Sequence, residues 1–223
     1  MSHSSSSLHT CCLTSLCAVF VIMLTTVSLH GKGKWKAWRA LSRPEKCWSI
    51  VHPIKARTVY ECAKRARYVT DSLRKAEVLT DDNGGQLDAF RHAYWMALMI
   101  DAGIHEKVAR RVGQKHERGN YLDFKKGKLE EGLRTDSLAS VMDLRNNDVG
   151  IQLGKKYSSS GGKLSLIEMI MTEIADGKLW ILKKDAEGNY RTCENKQIDL
   201  TLYGGKWFIP KCLVSSNEIV VEH

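Results

Sequence analysis

Three short blocks set the fold expected of this chain: LDAFRHAYW at 87–95, QKHERGN at 114–120 and MDLRNNDVG at 142–150. Each block places polar or ionisable residues inside an otherwise apolar run with helical spacing. The pattern therefore predicts three helices. Because all three blocks lie close together in the sequence, we expect their polar side chains to meet at one site.

The first block pairs a carboxylate with an imidazole. Asp88 and His92 are four residues apart, so a helix stacks them on one face. Such a carboxylate can orient the ring for metal binding or for acid/base catalysis. Arg91 has the planar fork that suits a phosphate or carboxylate, and Trp95 is expected to wall the same pocket. The alternative is a surface Asp–His contact with Trp95 in the core.

The third block is unfavourable as a helix. Asp143, Asn146, Asn147 and Gly150 stand at i, i+3, i+4 and i+7, which is one stripe of a helix face. These residue types lower helix propensity, and Gly costs about 1 kcal/mol relative to Ala. A bound ion or a buried polar network would compensate. Gly150 also predicts the close approach of another helix or a ligand.

Together the blocks offer two imidazoles and two carboxylates as metal ligands: His92, His116, Glu117 and Asp143. This mixture suits one zinc, manganese or iron ion, on which a bound water becomes a nucleophile. Asp88 is expected to orient His92, and Glu117 to be a ligand or general base. The residues expected to position an anionic substrate are Arg91, Asn146 and Asn147. A purely structural network of Asn amides is the alternative.

The order of the blocks resembles known families. His, then His-acid, then Asp is similar to the all-helical, metal-dependent phosphohydrolases of the HD superfamily, with Glu117 where that family has Asp and with shorter spacings. DAFRHAYW, KHE and DLRNNDVG resemble more closely the RHAxW, HE and DxxNNxxG signature of an uncharacterised bacterial domain of unknown function. Such domains also occur in secreted, toxin-like proteins. This resemblance covers about 80–155 and implies a shared helical fold and site, without an activity.

The remaining pattern predicts a mainly α protein, a bundle of about four to five helices with a small C-terminal β-hairpin or three-stranded appendage. Helices are expected at 54–78, from the turn at 81–85 to about 101, at 105–118, at 136–156, and from the capping box at Ser165 to Gly177. Gly119 and Asn120 are expected to end the second-block helix. Strands are expected at 178–184, 190–194 and 198–214.

The same pattern divides the chain into five segments. They are 1–31, a signal or anchor; 32–56, an aromatic and basic linker arm; 57–177, the helical domain; 178–216, the β appendage; and 217–223, a tail.

The N-terminal segment contains an uncharged apolar run at 11–29, followed at once by basic residues. Its length lies between that of an export signal and that of a marginal transmembrane helix. We expect a bacterial envelope protein, either membrane-anchored or exported. The tryptophans and basic residues of 32–53 are typical of a membrane-interface collar, and a short irregular arm is the alternative.

The net charge limits the classes of binding partner, and the cysteine content limits the disulfide bonds that the chain can form. The net charge of +9 fits an anionic substrate, anionic lipid or nucleic acid. Nucleic acid is disfavoured, because no basic tract interleaved with aromatic residues is present. Outside the N-terminal segment, an exported domain is expected to pair Cys47 with Cys62 and Cys193 with Cys212; free thiols in a reducing compartment are the alternative.

The leading functional hypothesis is a metal-dependent hydrolase of the bacterial envelope that acts on a phosphoester or another anionic substrate. A second hypothesis is a non-catalytic envelope protein in which the same residues form only a buried polar network. A third is a metal-free acid/base hydrolase or a toxin-like effector that uses Asp88 and His92.

Overall fold

The computed structural model describes residues 31–81, 83–128, 135–161 and 165–218. They fall into two units, one that ends at Leu41 and one that begins at Ser42. The first unit contributes helix α1, Gly31–Ala40. The second contains α2, Arg43–Val51; α3, Pro53–Lys75; α4, Gln86–Asp101; α5, Glu106–Lys125; α6, Ser137–Ser159; α7, Leu166–Ala175; β1, Trp180–Leu182; a 3-10 turn, Leu200–Tyr203; and β2, Leu213–Ser215. The predicted mainly α fold with a small C-terminal β element is confirmed.

Helix α4 is the buried centre of the second unit. It packs against α3, α5, α6, α7 and β1, and it is apolar on most of its circumference, with Leu87, Phe90, Met96 and Met99 fully buried. A helix that is apolar all round is stable only inside a core. The position of α4 therefore follows from its composition.

Helices α4 and α6 approach each other closely because of glycine. A Cβ atom at Gly150 would collide with the backbone of Ala93, and one at Gly154 would lie 2.8 Å from the Ala97 carbonyl oxygen. The close approach predicted from Gly150 is confirmed. Its consequence is that the polar stripe of α6 faces the first block on α4.

The arm predicted at 32–56 is helical rather than irregular, since it contains α1, α2 and the first turn of α3. Helix α2 begins at a Ser-x-x-Glu capping signal, in which the Ser42 N–H donates to the Glu45 carboxylate at 2.7 Å. Helix α5 also differs from its prediction, because it continues through Gly119 to Lys125. Gly119 is not a cap: a Cβ there would collide with the Ser42 side chain, so this glycine admits the start of α2.

The β appendage consists of two antiparallel strands, in which Trp180 lies opposite Ser215 and Leu182 opposite Leu213. Isolated bridges join Lys184 to Tyr190 and Arg191 to Gln197 beyond the strands. Asn146 on α6 holds this element in place. Its amide donates to the Trp180 carbonyl and accepts from the Trp180 N–H, both at 2.9 Å.

The cysteines follow only half of the predicted pairing. Cys193 and Cys212 form a disulfide bond, as expected. The Cys47–Cys62 pairing is wrong, because both thiols are free. Cys47 is exposed on α2, whereas Cys62 faces the core from α3, and burial raises the pKa of the Cys62 thiol to about 11.

The signal or anchor predicted at 1–31 lies almost entirely outside the described residues, as do 219–223 of the predicted tail. Among the helices that the structure does describe, none is both long and apolar enough to cross a bilayer.

Candidate metal centre

Helices α4 and α6 bring three ionisable side chains together. Asp88 and His92 come from α4, and Asp143 comes from the stripe of α6. One ligand atom from each residue lies within 4.8 Å of the others. The side chains are 13%, 4% and 11% exposed, respectively. The arrangement can hold one metal ion.

The distances within this group match shared coordination better than hydrogen bonding. The Nε2 atom of His92 lies 3.7 Å from Asp88 Oδ1 and 3.5 Å from Asp143 Oδ1. Both separations exceed the 2.7–3.2 Å range typical of N–H···O hydrogen bonds. Two ligands that each lie about 2.1 Å from a tetrahedral ion are about 3.4 Å apart. Two of the three separations in the group are therefore close to those of donors that share a cation.

The protonation states also fit a metal. Burial lowers the pKa of His92 to about 3, and it outweighs the Asp88 carboxylate, which by itself would raise that pKa. Burial would raise the pKa of Asp88, but the Arg91 guanidinium and the Gly84 N–H bring it below its ordinary value. A neutral imidazole and an ionised carboxylate are the forms that bind metal.

Arg91 lies at the edge of this group. Its Nη2 atom donates to Asp88 Oδ1 at 2.7 Å, and the Gly84 N–H donates to Asp88 Oδ2 at 2.9 Å. Asp88, which was predicted to orient His92 or to act with it in acid/base catalysis, is held by these two donors and is itself one of the three candidate ligands. Arg91 is half-buried, and its guanidinium contacts one of the three carboxylate and imidazole donors.

The two neighbouring asparagines of the stripe have different roles. Asn146, predicted to position substrate, is fully engaged with the Trp180 backbone. Asn147 is buried beside His92, but neither amide atom makes a hydrogen bond of full geometry to the described residues. The amide is still close enough to favour the charged form of His92 slightly. Gly113 on α5 leaves room for it, since a Cβ there would lie 2.7 Å from Asn147 Nδ2.

His116, predicted to be a ligand, is not one of the three donors. Its Nδ1 atom lies 3.0 Å from Glu45 Oε1 on α2. Its ring centre lies 6.1 Å from that of His92 and 5.6 Å from that of Trp95, in an edge-on contact. The structure thus places a second carboxylate–imidazole pair beside the first. The ring contact of Trp95, which was predicted to wall the Asp88–His92 pocket, is with His116.

Glu45 is the site residue that the sequence analysis missed. Burial would raise the pKa of its carboxyl, but His116 and Ser42 together lower it below the ordinary value. Ser42 and Glu45 carry a capping-box signal, so α2 was predictable from the sequence. Its contact with His116 was not, because 71 positions separate the two residues.

Glu117, predicted to be a ligand or general base, is buried on α5 and lies outside the group of three donors. Its Oε2 atom accepts from Asn120 Nδ2 at 3.3 Å. Adjacent residues on a helix point about 100° apart, so His116 and Glu117 face different surroundings.

Comparison with known proteins identifies the family. Residues 46–178 match the family model described as Domain of unknown function (DUF6973). The chain belongs to this family. The matched region begins within α2 and includes Asp88, His92, His116 and Asp143. No curated protein and no solved structure matches the chain.

Proposed function

We propose that this member of the DUF6973 family is a metal-dependent hydrolase of a phosphoester or another anionic substrate. The observation that carries the proposal is the convergence of Asp88, His92 and Asp143 at ligand distances. A mixed imidazole and carboxylate set suits zinc, manganese or iron. The bound metal would supply an acidified water as the nucleophile.

The Glu45–His116 pair supports a catalytic use of the centre. A carboxylate at Nδ1 holds the imidazole proton on that nitrogen, which makes Nε2 the basic atom. His116 would accept a proton from the attacking water at Nε2 and later deliver it to the leaving group. This assignment replaces Glu117 as the general base.

Two further residues would position the substrate. Arg91 carries fixed positive charge beside the metal ligands and has a planar fork that suits phosphate or carboxylate oxygens. The Asn147 amide, buried beside His92 without full hydrogen bonds, is available to the water or to a substrate oxygen. A buried amide without partners is unfavourable unless something supplies them.

Hydrolysis of bis(p-nitrophenyl) phosphate by the full chain, with zinc or manganese added after chelation, tests the proposal. His116→Ala should keep its metal and lose turnover by about 10²–10⁴-fold, the range for removal of a general base. His105→Asn is the control: it changes the exposed N-cap of α5 to another capping residue and should behave as wild type. Metal-loaded His116→Ala protein that turns over at the wild-type rate would remove His116 from the mechanism.

A structural metal centre is the second candidate function, and the burial of the three donors favours it. Structural sites are closed, whereas catalytic sites keep a position open to water. In that case chelation would lower the thermal stability, and neither Arg91→Ala nor His116→Ala would change any measured activity. A stabilising metal combined with turnover that depends on His116 would decide for the hydrolase.

We further propose that the protein acts at the bacterial envelope. The uncharged run at 11–29 has the composition of an export signal or membrane anchor. The Cys193–Cys212 disulfide supports an oxidising compartment. N-terminal sequencing of mature protein from fractionated cells tests both statements, and recovery in the cytosol with reduced cysteines would contradict them.

A further inference from the structure

Three aliphatic side chains are exposed at the corner between α2 and α3. Ile50 and Val51 end α2 and Ile54 begins α3, with exposures of 56%, 71% and 86%. The corner is ordered by contacts of its own. The His52 N–H donates to the Trp48 carbonyl at 3.0 Å, and the two rings stack with centres 5.1 Å apart. We call Ile50, Val51 and Ile54 the apolar corner.

The sequence around the apolar corner is strongly basic. Residues 31–60 contain eight Lys and Arg residues and a single acidic residue, Glu45. Glu45 is directed to His116, where its charge is engaged. Lys55 and Arg57 are exposed in the first turn of α3, directly after Ile54. Apolar tips flanked by positive charge complement an anionic surface with an apolar interior.

We propose that the apolar corner docks into the headgroup boundary of an anionic lipid bilayer, with Lys55 and Arg57 on the lipid phosphates. Nucleic acid fits less well, because it has no apolar interior to receive three aliphatic side chains. The uncharged run at 11–29 has the composition of a membrane segment, so a membrane partner is expected for this chain independently of the apolar corner.

Docking in this way also places the metal centre near the bilayer. Glu45 and Ile50 are five residues apart on α2, about 7.5 Å along the helix axis. A docked corner would therefore hold the His116 side of the site close to the membrane surface. The docking does not depend on the proposed hydrolase activity, because it is tested by fluorescence quenching and not by turnover of a substrate.

The test is depth-dependent fluorescence quenching on the full chain. An environment-sensitive fluorescent amino acid is placed at Ile54 or, as the matched control, at Leu202, which is 66% exposed in the 3-10 turn. Vesicles contain phosphatidylglycerol and phosphatidylcholine with brominated acyl chains. The label at position 54 should be quenched several-fold more strongly than the label at position 202, whether or not the run at 11–29 inserts into the vesicle. Equal quenching, or none at position 54, would overturn the proposal.

Charge reversal separates lipid docking from other basic-surface binding. Lys55→Glu with Arg57→Glu should reduce the quenching at position 54, and Lys206→Glu, at an exposed lysine of the β appendage, should not. Vesicles without phosphatidylglycerol should quench position 54 less. If the fluorescence at position 54 changed with duplex DNA and not with vesicles, the apolar corner would bind nucleic acid, and lipid docking would be refuted.

Discussion

Two buried charged clusters on α6 differ in the distances between their charged groups. At the start of the helix, Asp136 accepts two backbone N–H groups at Oδ1, at 2.9 and 3.2 Å, and the Lys211 ammonium at Oδ2, at 2.6 Å. Two turns later, Asp143 and Asp88 lie 3.5 and 3.7 Å from His92. We call the first cluster, which is held together at hydrogen-bond distances, the closed cluster. The charged groups of the second lie farther apart, at separations that suit a shared cation.

The closed cluster joins two parts of the fold, whereas the second cluster is the candidate metal centre. Lys211 also lies over the Tyr190 ring, with its ammonium 3.6 Å from the ring centre. Burial lowers the pKa of Lys211, while Asp136 favours its charged form. This cluster ties the β appendage to the N-terminus of α6. Beside the candidate metal centre, Asn147 has a buried amide that makes no hydrogen bond of full geometry to the described residues.

Breaking the closed cluster should have the largest effect on stability. Lys211→Ala leaves the Asp136 carboxylate buried without its cation, which should cost roughly 3–5 kcal/mol. The control Lys178→Ala removes the two ion pairs of an exposed lysine, with Glu173 and Asp176, and should change the free energy of unfolding by less than about 1 kcal/mol. Urea denaturation measures both. If the two variants were equally stable, the closed cluster would not have the structural role assigned to it.

Asn146 and Asn147 allow a similar comparison within one turn of α6. Asn146→Ala removes both hydrogen bonds to Trp180 and should lower the free energy of unfolding by about 3 kcal/mol. Asn147→Ala removes no hydrogen bond of full geometry and should cost less than about 1 kcal/mol in metal-free protein. Thermal and urea unfolding of the two variants check this order, which a reversed result would refute.

Bound metal should stabilise the fold only through Asp88, His92 and Asp143. Zinc at a hundred times its dissociation constant should raise the free energy of unfolding of the wild type by about 2.7 kcal/mol. His92→Ala should lose this increment, and Lys211→Ala should keep it despite its lower starting stability. Differential scanning fluorimetry with and without zinc distinguishes these outcomes. Equal stabilisation of His92→Ala would place the metal elsewhere.

The smallest expected effect is the pH dependence of the stability that Glu45 contributes. The pKa of Glu45 is lower in the folded protein than its ordinary value. Its contribution is therefore present above the ordinary pKa and is lost as pH falls through the folded pKa. Glu45→Gln should be about 1 kcal/mol less stable than wild type near pH 6, and the two should converge as pH falls through the lowered pKa of folded Glu45. A difference that is constant across this range would rule out the charged Glu45 as its source.

Much of the fold was predictable because helical periodicity and capping signals are local. The stripe of Asp143 and Gly150 predicted a helix that meets another closely, and α6 meets α4 there. Gly119 failed as a stop signal, because the same residue type also admits a neighbouring helix. Only the approach of Ser42 in three dimensions distinguishes the two uses.

The candidate site was predictable only in part. Spacing on α4 and α6 identified Asp88, His92 and Asp143, but it could not separate Asn146 from Asn147. That distinction depends on Trp180, 34 positions away. The Glu45–His116 contact joins residues still further apart. Sequence periodicity shows which residues share a face, whereas tertiary packing decides what that face meets.

Calorimetric titration of chelator-treated full chain with zinc or manganese tests the central claim most directly. The wild type should bind one ion per chain. Asp143→Asn should not bind it at the same concentrations, whereas Asp148→Asn, an exposed position on the same helix, should bind as the wild type does. A wild type that binds no ion, or an Asp143→Asn variant with unchanged affinity, would contradict the metal centre.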